Sequence, residues 1–102
     1  MARATESEIA FAVLAYLDTL PSGTATIKSI KHNLPSYITL SHEDQEMSIT
    51  RIHEQVWEQQ VRNIVSHRLD DGNYIHEGYL TRSPGKLSIT PLGRSHLLSG
   101  HP

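Results

Sequence analysis

The 102 residues predict a small α+β fold with three main helices, a two- to three-stranded β-wing and a short C-terminal helix. Three observations lead there. Apolar residues recur at helical spacing in two long stretches, near residues 6–20 and 53–69. A Pro84-Gly85 pair separates a β-rich stretch from the alternating Leu87-Ser88-Ile89-Thr90. The length suits a single domain whose core is small, and two strands alone would not be stable, so they must pack on helices.

The first helix is expected over residues 6–20. Thr5 and Glu8 have capping-box spacing, with Thr5 as N-cap. Ile9, Ala12, Val13, Tyr16, Leu17 and Leu20 form its buried stripe, and Pro21 and Gly23 stop it. A short strand at Thr24–Ala25 then runs into a helix from Thr26 to Leu34. Thr26 is its N-cap, with Ile27, Ile30 and Leu34 inward. Lys28, Lys31 and His32 lie outside. The two lysines read equally as phosphate contacts or as a solvated basic face.

Residues 35–52 form an acidic connection. Ser41, followed by Glu43 and Asp44, marks a short helix around 41–47. The next helix is expected from His53 to Leu69, ended by Asp70-Asp71-Gly72-Asn73, where Gly72 or Asn73 supplies a left-handed cap. A hairpin follows. Its first strand is read across Tyr74–Leu80, its turn at Ser83-Pro84-Gly85-Lys86 and its second strand at Leu87–Thr90. Pro91 opens a last helix carrying Leu92, Leu97 and Leu98. This order of elements is that of a winged helix-turn-helix, and residues 1–102 read as one such domain, a module of a longer protein.

The helix at 53–69 carries the functional signal. Trp57, Val61, Ile64 and Val65 make one apolar stripe, which places Gln59, Arg62, Asn63 and Ser66 opposite, with Gln60 and His67 at the edges. That face has no carboxylate. Its side chains suit base edges and phosphates: Arg for guanine, Asn or Gln for adenine, Ser and His for backbone oxygens. Arg82 and Lys86 on the hairpin add phosphate or minor-groove contacts. Net charge is −2, which weighs against a polyanion partner. The distribution answers part of that objection. Residues 1–58 hold four Lys+Arg against eight carboxylates, whereas residues 59–102 hold five against three.

Other chemistries find little support. There are no cysteines, so disulfides and thiolate metal sites are excluded. The seven histidines form no His-x-x-x-His or His-Glu-x-x-His pattern, so no metal and no cofactor is expected. Ser66 and His67 are adjacent and point about 100° apart on a helix, so they are not a nucleophile and its base. No glycine-rich phosphate loop occurs, and the domain itself is not expected to be an enzyme. With no membrane-length apolar run and no signal-peptide pattern, a cytoplasmic protein is expected.

Three segments resemble a known family: Leu40-Ser41-His42-Glu43-Asp44, Trp57-Glu58-Gln59-Gln60-Val61 and Leu87-Ser88-Ile89-Thr90-Pro91-Leu92-Gly93. With them the chain is similar to the N-terminal winged-helix domain of Mrr-type restriction proteins and to related domains attached to HNH-type endonucleases in prokaryotes. Arg68 departs from that pattern, standing where such helices carry an apolar residue. The resemblance implies target recognition on double-stranded DNA in restriction or defence, as a homodimer or beside a linked nuclease domain. Two alternatives stay open: a protein-interaction module with the same fold, and a stand-alone transcription regulator.

Overall fold

Helix α1, Glu6–Asp18, is the hub around which the other elements pack. The computed structural model describes residues 3–47 and 54–102. The helix starts as its sequence dictates. The Thr5 hydroxyl accepts from the Glu8 amide at 3.1 Å, and the Glu8 carboxylate accepts from the Thr5 amide at 2.8 Å. Seven of its residues are buried, spread round the helix beyond a single stripe. That distribution marks a helix covered on several sides.

A short strand and helix follow. Strand β1, Thr24–Thr26, leads directly into α2, Ile27–Asn33. Thr26 caps α2 by accepting from the Ser29 amide. Ile30 of α2 and Leu34 just after it are fully buried. A single 3-10 turn, Leu34–Ser36, ends this segment.

Residues 42–45 form turns, not the short helix expected at 41–47. The capping residues are present, but the cap is used differently. Asp44 is buried and its carboxylate accepts from the Ser41 amide and from the Ala4 amide, 40 residues away. The carbonyls of Asp44 and Glu46 accept from the Trp57 and Val56 amides. The loop therefore satisfies the open N–H groups of the next helix instead of starting its own.

That helix, α3, spans Val56–Ser66, and Trp57, Val61 and Ile64 are its buried residues. The expected start at His53 lies outside the described residues. The end comes before Leu69, which is exposed. Arg68, anomalous as a helical residue, lies beyond the helix and donates to the Val65 carbonyl at 2.9 Å. Gly72, with φ +85°, supplies the left-handed residue.

Strand β2 is Leu80–Ser83 and β3 is Lys86–Ile89. The stretch Tyr74–Tyr79, expected to be strand, is a run of turns. Buried Asn73 organises it. Its side-chain oxygen accepts from the Ile75 and His76 amides, an Asx-type turn, and its amide donates to the Ile64 carbonyl. The sheet is antiparallel in the order β1-β3-β2, with Thr24 opposite Ser88 and Arg82 opposite Leu87.

Helix α4, Pro91–Ser99, closes the chain. Thr90 caps it, and its hydroxyl also donates to the Gly78 carbonyl at 2.6 Å. His96 stacks on Tyr79 with ring centroids 4.1 Å apart, and its Nε2 meets the Tyr74 hydroxyl at 3.1 Å. Among the described residues the result is an α+β domain of four α-helices and one three-stranded antiparallel sheet.

Candidate nucleic-acid interface

A groove of about 200 Å³ runs between α3 and the β2–β3 hairpin. Ile27 and Val65 contribute its apolar lining, Arg62, Arg82 and Lys86 its charge, and none of its seven lining residues is acidic. Strand register explains how cations reach it from the hairpin. Opposed residues in an antiparallel pair share a sheet face, so Arg82 shares one with fully buried Leu87 and, two residues back, with Leu80. That is the face turned to the helices. Because the sheet ends there, Arg82 overhangs the groove while remaining exposed. Lys86 alternates to the other face. It lines both this groove and a second one beside Thr24, Thr26 and Ser29. The hairpin turn is pinned to the helices, since the Ile27 amide donates to the Gly85 carbonyl at 2.9 Å.

The residues singled out on α3 divide into groups. Ser66 is exposed, and Gln59, Arg62 and Asn63 are half-buried. The Asn63 side-chain amide donates to the Gln60 side chain at 3.2 Å, and Gln60 in turn donates to the Ala4 carbonyl ahead of α1 at 3.4 Å. Lys28 is exposed on α2.

His67 sits elsewhere. Its Nδ1 lies 2.6 Å from the Glu6 carboxylate, and the other Glu6 oxygen accepts from Asn73. The histidine thus ties the end of α3 to the start of α1 rather than joining the outward face. It leaves the set of side chains brought together beside the groove.

Sequence reasoning missed Glu54. Its carboxylate forms ion pairs with Lys31 of α2, at 3.1 Å, and with Arg62 of α3. Its side chain is only 13% exposed. Two candidate DNA contacts therefore share one carboxylate. The only local signal for Arg62 was Glu58, one turn earlier on the helix, and nothing in the sequence marks a partner outside it.

Among the described residues, no group of three or more histidines and carboxylates is placed to hold a metal ion. No helix there is long and apolar enough to cross a membrane. No family model, no curated protein and no solved structure matches this chain.

Proposed function

We propose that this chain is a DNA-binding module of winged helix-turn-helix type, with α3 as the recognition helix and the β2–β3 hairpin as the wing. The observation that carries this reading is the groove between them, lined by three cations and no carboxylate. A polyanion backbone running along it would meet Arg82 and Lys86, while Gln59, Asn63 and Ser66 present hydrogen-bonding groups to base edges. Lys28 extends the cationic surface onto α2. The resemblance in sequence carries the proposal further, to the target-recognition domain of a prokaryotic restriction- or defence-type endonuclease. Such a domain would act in the cytoplasm as a homodimer or beside a linked nuclease domain.

The affinity expected is low and electrostatic. Lys28, Arg82 and Lys86 are exposed. Three phosphate contacts correspond to a slope of roughly −3 in the logarithm of affinity against the logarithm of salt concentration. Fluorescence anisotropy with a random-sequence duplex at several salt concentrations tests this. Absence of binding at low salt would remove the reading. It would favour the protein-interaction alternative, for which the net charge of −2 and the exposed Leu92 and Leu98 of α4 argue.

A further inference from the structure

We infer that Glu54 is a specificity-determining residue: its carboxylate, bridging Lys31 of α2 and Arg62 of α3, suppresses sequence-independent binding of phosphate to this face. The inference rests on the DNA-binding reading and deepens it.

Glu54 precedes α3, and its side chain is more enclosed than either partner's, 13% exposed against 26% for Lys31 and 30% for Arg62. The carboxylate therefore reaches the two cations from the protein side and leaves their outer edges toward solvent. The cluster sums to one positive charge instead of two. A DNA phosphate approaching Lys31 or Arg62 competes with an anion already in place, held by the chain at high effective concentration. Each cation removed from the phosphate count lowers the salt slope by about 0.9 and weakens non-specific binding about eightfold at 0.1 M salt.

Base-edge contacts are treated differently. Gln59, Asn63 and Ser66 carry no charge, and among the described residues the ion pairs of Glu54 are with Lys31 and Arg62, not with the exposed Arg82 and Lys86. Lowering the phosphate part of the affinity while Gln59, Asn63 and Ser66 are left untouched raises the ratio of specific to non-specific binding, which is what matters against a genome of competing sites. The ion pairs also hold the Arg62 guanidinium at the groove wall, a restraint that favours a defined contact over a mobile one.

The test uses Glu54→Gln, Lys31→Ala, their combination and, for comparison, Lys86→Ala in the full chain, with melting curves to establish folding. Random-duplex affinity is measured by anisotropy across salt concentrations. Glu54→Gln is expected to bind about tenfold tighter at 0.1 M salt, with a slope steeper by about 1. Lys31→Ala alone is expected to stay within about twofold of the parent, yet to remove much of the gain in the Glu54→Gln background. A folded Glu54→Gln protein that binds no tighter than the parent overturns the inference. So does a loss in Lys31→Ala alone as large as that in Lys86→Ala, a comparison that stands even if Glu54→Gln fails to fold. If neither the parent nor Glu54→Gln binds at low salt, the DNA-binding reading itself fails.

Discussion

Gly93 is the position where the smallest change should have a large effect. A Cβ placed there would lie 2.2 Å from the Tyr79 carbonyl oxygen and 3.1 Å from a side-chain carbon of Ile89. Two effects oppose each other in Gly93→Ala. Alanine improves helix propensity by at most about 1 kcal/mol, and less in a first turn. Against this, a backbone oxygen cannot step aside as a side chain can, so the start of α4 must move outward by roughly 1 Å to restore van der Waals distance. Overpacking of this kind costs about 1–3 kcal/mol. The displacement also pulls on the Thr90 cap, whose hydroxyl donates to Gly78 and accepts from Gly93, and on the Thr90 amide bonded to Tyr79. A weakened N-cap adds about 1 kcal/mol. The net expectation is destabilisation by about 2 kcal/mol, or a fall in Tm of roughly 8–16 °C for a domain of this size. Thermal unfolding followed by circular dichroism measures it, with Ser95→Ala, at an exposed position of the same helix, as the control. A Gly93→Ala protein melting at or above the parent would show that α4 does not approach Tyr79 this closely.

Further outcomes follow from the same structure. Trp57 is 6% exposed and its indole N–H donates to Gln55 at 2.7 Å, so Trp57→Ala should lose about 3–5 kcal/mol in urea unfolding. An unchanged midpoint would mean that the stripe of α3 faces elsewhere. Arg82→Ala and Lys86→Ala should each leave Tm within about 1–2 °C, weaken binding alike for all duplex sequences and flatten the salt slope by about 1. Asn63→Ala should instead lower discrimination between sequences with little change of slope, and an identical preference profile would exclude it from base reading. Burial, with a smaller contribution from neighbouring Tyr79, pushes the Tyr74 phenol up to about 12. The unfolded chain, whose tyrosines ionise near an ordinary value of about 10, gives up that proton first. The stabilisation is therefore complete below pH ~10 and lost as the pH rises from about 10 to 12. Tyr74→Phe should remove this part of the alkaline decline, as read from urea midpoints against pH.

Local chemistry made much of the fold legible. The Thr5–Glu8 box, the Thr26 cap, the Pro84-Gly85 turn and the Trp57 stripe each rest on residues within a few positions of one another. Each stands where the sequence indicates. The failures share a different cause. Tyr74–Tyr79 has strand-forming side chains, but Asn73 bends the chain into turns, and Tyr74 and Tyr79 are taken up by His96 from α4. Ser41 and Asp44 carry helix-start chemistry, but the carboxylate is drawn to Ala4 across the molecule. At the candidate site the outward face of α3 was legible from periodicity alone. The Glu54 pairs and the Glu6–His67 contact join residues 23 and 61 positions apart, in the cases of Lys31 and His67, and no spacing rule reaches that far.

The placement of β3 between β1 and β2 has a consequence for how the chain is made. Thr24 meets Ser88, 64 residues later, and their hydroxyls bond at 2.7 Å. At about 5–20 residues per second, a ribosome needs roughly 3–13 s to supply that partner. During this interval β1 waits as an unpaired edge. Its sequence, Thr-Ala-Thr, is short and contains no large apolar side chain, so it offers neighbouring nascent chains little to recruit. The sheet is completed only when nearly all of these residues have been synthesised, and the brevity of its first strand is what makes that delay harmless.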